Sequence, residues 1–317
     1  MNRPRLKIPD GIIPCLLALL VTVGGCNSYV TRIVVQSFGR IGESIPDPPH
    51  MITTPLLPDA KLAVSWVGHA TVLIQIHDKL IITDPFLTNT IGMLVKRFVK
   101  PGLDPAILPK IDFTLISHIH FDHFSYGSLA MLPKNGGIAV PLGAAEYTPD
   151  FGFQEVDEMK PWDVVERDGI RITAVPVQHF TGRYGIDGGW LGDRGYTGYV
   201  IQYKEYTVFF AGDTGYNPEI FREIGRRFSK IDVALIPIAP GSSSGNGSRI
   251  HANPQGALSI FNDVGATYMV PIHFGTLFYG SDANPTEPLD RLRAVAAQQN
   301  ISDRVIGLGI GEQRVIY

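Results

Sequence analysis

The sequence predicts an α/β (α+β) sandwich rich in sheet, and three observations carry that reading. Short β-branched runs recur along the chain, and the helical stretches are fewer and open at Pro or Ser start signals. Gly (34) and Pro (24) are too frequent among the 317 residues for long uninterrupted helices. The 44% hydrophobic content supplies ample core material and excludes a disordered or coiled-coil chain.

Taken in order, residues 1–26 read as an export signal. Arg3, Arg5 and Lys7 precede an apolar run over 12–23, too short to cross a hydrocarbon core of roughly 30 Å as a helix. It ends in Val23-Gly24-Gly25-Cys26, which resembles the cleavage box of bacterial lipoproteins, where the cysteine is lipidated. An ordinary cleaved signal and an uncleaved anchor are the alternatives. Each reading exports the domain, and the first anchors it to a membrane at the cell-envelope face. Residues 27–60, with Pro46-Asp47-Pro48-Pro49, read as a tether and a strap, and 61–317 as one folded domain.

Within that domain the spacing predicts strands over 62–67, 71–76, 80–83, 113–117, 170–175, 198–203, 207–211, 233–236 and 268–272. Helices are predicted over 125–132, 218–228, 254–264 and 288–299. Residues 241–248, all Gly, Ser or Asn, read as a mobile loop. Residues 91–100 mix bulky apolar side chains with Lys96, Arg97 and Lys100. They suit either a membrane interface or a segment packed into the core with its cations solvated.

A formal net charge of −3 removes the electrostatic attraction that nucleic-acid binders need, so nucleic acid is excluded as a partner. Both cysteines, Cys15 and Cys26, lie in the first 26 residues, which leaves the folded part without a disulfide framework or thiolate metal ligands.

The chemistry rests with the histidines. Three of nine fall in Ser117-His118-Ile119-His120-Phe121-Asp122-His123, directly after a predicted buried strand. A strand end or tight loop there lets His118 and His120 share one metal while Asp122 and His123 turn toward another. Further ligand candidates, each following a predicted strand, are His179, Asp213 and His273. An all nitrogen and oxygen set suits zinc first, with iron or manganese as alternatives. His251 precedes a helix whose start signals are Asn253 and Pro254, and is a candidate for catalysis or substrate binding. His69 lies in a turn between two strands, where it either hydrogen-bonds near the metals or satisfies the turn; His50 and His77 carry no partner signal and are assigned to the surface.

This set resembles the metallo-β-lactamase superfamily, whose His-x-His-x-Asp-His signature stands here as His118 to His123, followed in order by His179, Asp213 and His273. The resemblance implies a four-layer αββα sandwich with two zinc ions on one edge. His118, His120 and His179 would hold the first, Asp122, His123 and His273 the second, and Asp213 would bridge them. Trp66-Val67-Gly68-His69-Ala70-Thr71, Thr83-Asp84-Pro85, Gln178-His179-Phe180, Phe210 to Tyr216, His251 and Ile272 to Thr276 further resemble the N-acyl-phosphatidylethanolamine-hydrolysing phospholipase D family. That resemblance implies hydrolysis of a phosphodiester in a membrane phospholipid. A hydroxide between the ions would attack phosphorus, Asp122 and Asp213 would hold the metals and orient it, and His251 would hydrogen-bond the phosphoryl oxygen or protonate the leaving alkoxide. The chain departs from the family after Ala239, where Gly241 to Ser248 replaces an aromatic residue and a Pro-Arg pair. A lactonase or small-molecule phosphodiesterase is the alternative.

Overall fold

Apolar strands with one or both faces buried must stack on something, and here they form two sheets packed face to face. The computed structural model describes residues 40, 42–91, 95–184, 187–240, 245, 247–278 and 284–317. The proposed export signal and the tether residues up to 39 lie outside the described residues.

The first sheet joins β1 (Leu62–Gly68), β2 (Thr71–Ile76), β3 (Lys79–Thr83), β6 (Phe113–Leu115), β7 (Gly137–Pro141), β8 (Glu155–Met159) and β15 (Gln313–Val315) in the order β15-β1-β2-β3-β6-β7-β8. A two-residue hairpin, β4 (Thr90–Ile91) with β5 (Val95–Lys96), stands beside it. The second sheet holds β9 (Val164–Arg167), β10 (Ile170–Val175), β11 (Gly198–Tyr203), β12 (Tyr206–Phe210), β13 (Ile231–Pro237) and β14 (Ala266–Ile272) in the order β14-β13-β12-β11-β10-β9. Facing side chains such as Trp66, Val72, Ile74, Phe113, Ile172, Val200 and Phe210 fill one core between the sheets.

Helices cover both outer faces. On the second sheet lie α3 (Pro218–Arg227), α4 (Pro254–Val264) and α5 (Glu287–Gln298). Two start as the sequence predicts: Asn217 and Asn253 cap the first turn with their side chains, and Pro218 and Pro254 follow. The first sheet carries less cover, chiefly α1 (Tyr126–Met131), capped by Ser125, and the one-turn α2 (Gly188–Leu191), over a second core that includes Ile82, Ile138, Phe124, Leu129 and Leu191. The four-layer αββα sandwich is therefore present, with one thin outer layer.

Strand directions place the site. Strands β3, β6 and β7 are parallel, and β12, β13 and β14 are parallel. Antiparallel pairing through intervening strands makes β1 parallel to β3, and β10 parallel to β12. The loops after β1, β3, β6, β10, β12 and β14 carry His69, Asp84, His118 to His123, His179, Asp213 and His273, so the C-terminal ends of six strands deliver the centre to one edge.

Several sequence expectations need correction. The strand predicted over 113–117 stops at Leu115, because Asp84 takes the N–H of Ser117 and turns the chain out of the ladder. Strands β7, β8 and β9 were not anticipated: β8 and β9 are half-exposed with charged residues such as Glu155, Asp157 and Arg167, which hides their alternation. His77 is not a free surface residue, since its ring pairs with Glu205 at 3.1 Å and lies against Tyr206. In segment 91–100, Arg97 is fully buried. It donates to the carbonyls of Phe86 and Val99, so it is neither a solvated nor a membrane-facing cation. Lys96 and Lys100 reach the strap, at the carbonyls of Arg40 and Glu43 and the carboxylate of Asp47. Residues 92–94 of that segment lie outside the described residues. In the segment read as a strap, Ile52 is buried and bridged to Leu103. Of the loop read as mobile, 241–244 and 246 lie outside the described residues. Gly247 pairs with Ala252, and Ser248 bonds to the carbonyl of His251.

Candidate metal centre

Two groups of side chains converge at the strand ends. In the first, one ring nitrogen each of His118, His120 and His179 lie within 4.8 Å of one another; in the second, one ring nitrogen each of His69, His123 and His273 and a carboxylate oxygen of Asp122 do the same. Asp213 stands between them. Its Oδ2 is 3.1 Å from Nε2 of His273 and 3.4 Å from Nε2 of His123, and it also groups with His179 and His251. All seven residues singled out as ligands by sequence therefore meet in one place.

The ring orientations follow from hydrogen bonds behind the site. Nδ1 of His179 faces the carbonyl of Ile250 at 2.9 Å, Nδ1 of His273 faces that of Ala239 at 2.6 Å, and Nδ1 of His123 faces Asp84 at 2.6 Å. A carbonyl or carboxylate only accepts, so each Nδ1 carries a proton and each Nε2 is turned toward the centre. Three residues of this network, His69, Asp84 and His273, hold positive φ (59°, 32° and 62°), a conformation L residues rarely adopt. Each stands where the chain turns off a strand, secured by bonds from His69 N to Thr276 Oγ1, Asp84 N to Leu115 O and His273 N to His69 O.

Electrostatics keep these groups ready as ligands. Burial lowers His69 and His179 to about 3 and His251 to about 4, and puts His118 well below the ordinary value. These rings are neutral at pH 7. Burial alone would raise Asp213 and Asp122, but the neighbouring His273 and His123 hold the first well below the usual range, and His123 and His69 lower the second. His123 is raised well above the ordinary range, its desolvation outweighed by Asp213, Asp122 and Asp84.

The residues fit a metal. His118 Nε2, Asp213 Oδ1 and His251 Nδ1 are buried and find no hydrogen-bond partner among the described residues, a costly arrangement unless a cation completes it. Imidazole with carboxylate is a donor set for zinc, iron or manganese. A further group, Asp84 with His118 and His123, is differently occupied: Asp84 is already hydrogen-bonded to His123 and Ser117.

His251 faces the centre, with Nδ1 3.7 Å from Asp213 Oδ2 and its ring 5.1 Å from that of His179. His69 joins the second group rather than merely closing its turn, with Nε2 3.1 Å from Asp122 Oδ2. His50 lies on the surface, as expected. Two contributors escaped the sequence reading. Asp84 appeared there only as part of a motif, although an acid between a buried strand and a Pro was a usable signal. Arg183 left no signal: it is buried, donates to the carbonyls of Ile119 and Phe124 at 2.9 Å, and lies 4.3 Å from the ring centre of Phe121.

Comparison with known proteins agrees with this geometry. The family described as Beta-lactamase superfamily domain matches residues 79–274, more than half of the chain. The chain is 28% identical over 262 residues to N-acyl-phosphatidylethanolamine-hydrolyzing phospholipase D 1 of Caenorhabditis elegans, covering 77% of this chain and 73% of that one. It is 29% identical over 217 residues to a UPF0173 metal-dependent hydrolase of Methanopyrus kandleri, covering 68% of this chain and 85% of that one. The metallo-beta-lactamase fold protein YhfI from Bacillus subtilis superposes with a TM-score of 0.55 at 15% identity, over 80% of this chain and 98% of that one. Family match, fold and ligand groups together lead to one conclusion: the chain belongs to the beta-lactamase superfamily domain family and is a metal-dependent hydrolase of the metallo-β-lactamase fold.

Proposed function

We propose that this protein is a zinc-dependent phosphodiesterase of the phospholipase D type, acting on N-acyl-phosphatidylethanolamine-like phospholipids. The observation that carries the reading is the pair of ligand groups with Asp213 between them and His251 at their margin. In it, His118, His120 and His179 would hold one ion and Asp122, His123 and His273 a second, with Asp213 within reach of each group. Bound there, the ions would supply an activated water and balance the charge that builds on phosphorus.

The chain's own residues do the rest. Asp122 and Asp213, held as carboxylates, keep the ligand shell negative and oriented. His251, neutral at pH 7, offers a ring N–H to a phosphoryl oxygen, so of its two anticipated roles the hydrogen-bonding one fits better than proton donation from an imidazolium. A lipid substrate is supported by the aromatic margin of the site. Phe121, Phe180, Tyr184 and Trp190 are 43%, 48%, 61% and 59% exposed, and the Phe180 ring lies 4.5 Å from that of His120. Exposed aromatic rings, with the polar tips of Tyr184 and Trp190 among them, suit a lipid surface. In this reading Cys26 carries a lipid anchor that keeps the exported domain at the membrane.

The similarity to the Methanopyrus kandleri protein, named only as a metal-dependent hydrolase, supports the hydrolase class without the lipid, and the second reading is a hydrolase of soluble phosphodiesters or lactones. Elemental analysis of the detergent-solubilised protein, paired with turnover of N-acyl-phosphatidylethanolamine and of a soluble bis-aryl phosphodiester, separates the two. Two ions with lipid turnover uphold the proposal. Two ions with turnover of the soluble substrate alone move the protein to the second reading, and no bound metal refutes both.

A further inference from the structure

We infer that the turn from Ser248 to His251 recognises a second negative charge on the substrate, with Arg249 taking a carboxylate or phosphate carried by a group esterified to the scissile phosphate. This recognition rests on the phosphodiesterase reading for its reaction, and it names the class of head group that the reading leaves open.

The backbone of the turn is pinned from several directions. Ser248 N–H donates to the carbonyl of His251 at 2.8 Å, His251 N–H donates to Ser248 Oγ at 3.0 Å, and Gly247 pairs with Ala252 below them. Both carbonyls at the tip are held by the neighbouring loop: Gln178 Nε2 donates to that of Arg249 at 2.7 Å, and His179 Nδ1 to that of Ile250 at 2.9 Å. The Gln178 amide is itself oriented, because Asn217 Oδ1 accepts the Glu219 N–H and so turns Nδ2 toward Gln178 Oε1 at 2.8 Å. Behind the turn, a Cβ on Gly215 would stand 2.0 Å from the Arg249 carbonyl oxygen, so only glycine lets the loops meet. The side chains of Arg249 and His251 therefore leave the turn at fixed points, and that of His251 faces the centre.

Arg249 is exposed, and its guanidinium has no hydrogen-bond or ion-pair partner among the described residues. The buried Arg97 and Arg183, by contrast, hold backbone carbonyls. Tyr196 stands on the same flank. It is half-buried, is bridged through its backbone to His118, and sets its ring 6.5 Å from that of His179. Its hydroxyl makes no hydrogen bond among the described residues. Burial and the exposed Asp193 raise its pKa, and Arg249 is near enough to oppose them. Two unused donors thus flank the first ligand group, on the side where His251 would hold a phosphoryl oxygen. A guanidinium offers parallel N–H bonds to a planar carboxylate or to phosphate, so a substrate with such a group beyond the scissile phosphate satisfies Arg249, whereas a neutral head group leaves it to water.

Binding separates this recognition from the reaction. The metal-loaded protein is titrated calorimetrically with phenylphosphonate and with its 3- and 4-carboxylated forms, whose phosphorus–carbon bonds resist hydrolysis. The unmodified protein should bind a carboxylated form about three- to tenfold more tightly than phenylphosphonate, a preference lost in Arg249→Ala, reversed in Arg249→Glu and partly restored in Arg249→Lys. Added salt should shrink it, because the site is exposed. In turnover, the kcat/KM ratio of a carboxylated over an uncharged bis-aryl phosphodiester should fall by the same factor in Arg249→Ala, chiefly through KM. The same comparison of N-acyl-phosphatidylserine with N-acyl-phosphatidylethanolamine in vesicles tells the source: a ratio that falls there puts the second charge on a lipid head group, and one that falls only for the aryl pair puts it on a soluble ester. Equal binding of the phosphonates, binding of none, or a preference that survives Arg249→Ala overturns the inference. If the preference holds and no phosphodiester is turned over, the recognition stands and the phosphodiesterase reading falls.

Discussion

Replacing His251 by Ala tests how the centre stabilises charge that develops on a phosphoryl oxygen. Its ring Nδ1 is 3.7 Å from Asp213 Oδ2 and makes no hydrogen bond there, and burial lowers its pKa to about 4. At pH 7, three units higher, only about one ring in a thousand is an imidazolium. A neutral ring donating one hydrogen bond to charge developing on a phosphoryl oxygen contributes about 3 to 4 kcal/mol, so His251→Ala should lower kcat roughly 10²- to 10³-fold. KM should change little, because the bond strengthens only as charge develops. The assay is steady-state hydrolysis of a bis-aryl phosphodiester and of N-acyl-phosphatidylethanolamine from pH 5 to 8, with metal content measured on the same preparations. Retained metal with lost kcat, and no decline of wild-type kcat from protonated His251 titrating across that range, fit the hydrogen-bonding role. Undiminished activity in the variant would refute it. Loss of one ion would make His251 a ligand, an arrangement that its grouping with His179 and Asp213 permits.

Other perturbations follow from the same network. Metal-free protein should lose stability on acidification: His69 and His179 have folded pKa values near 3 against 6.5 when unfolded, so below pH 6.5 the unfolded chain takes up protons that the folded one refuses. At pH 4.5 the loss is on the order of 3 kcal/mol per ring, measurable as a falling urea midpoint, and a midpoint that holds steady from pH 7 to 4.5 would contradict the burial argument. Arg183→Ala leaves the carbonyls of Ile119 and Phe124 without their donor under three aromatic rings, and should cost about 3 to 5 kcal/mol, roughly 10 °C in Tm, with weaker metal binding. A thermal melt within 2 or 3 °C of wild type, on the order of 1 kcal/mol, would show that the loop holds itself. Tyr184→Ser with Trp190→Ser, both at exposed sites, should reduce turnover of vesicle-borne phospholipid about tenfold and spare the soluble phosphodiester. Equal losses on the two substrates would remove the lipid-docking role of this margin.

Local signals in the sequence decided more of this protein than its overall topology. Asn217-Pro218 and Asn253-Pro254 announce α3 and α4 within a residue or so, because capping and proline geometry act across a single turn. The ligand residues were legible because a metal needs particular side chains at the ends of strands, and the apolar runs mark where those ends fall. Edge strands β8 and β9 were not, since Glu155, Asp157 and Glu166 tolerate charge at a half-solvated edge, where no core demands alternation. Which ligands share a group, and in which tautomer, depended on contacts between distant segments. His273 meets His123 across 150 positions, Asp84 meets Ser117 across 33, and Arg183 finds its carbonyls 59 and 64 positions away. Residue type and spacing along the chain therefore determined the candidates for the centre. Only the packing of two sheets, which brings six strand ends to one edge and excludes water from the groups behind them, decided their partners and protonation.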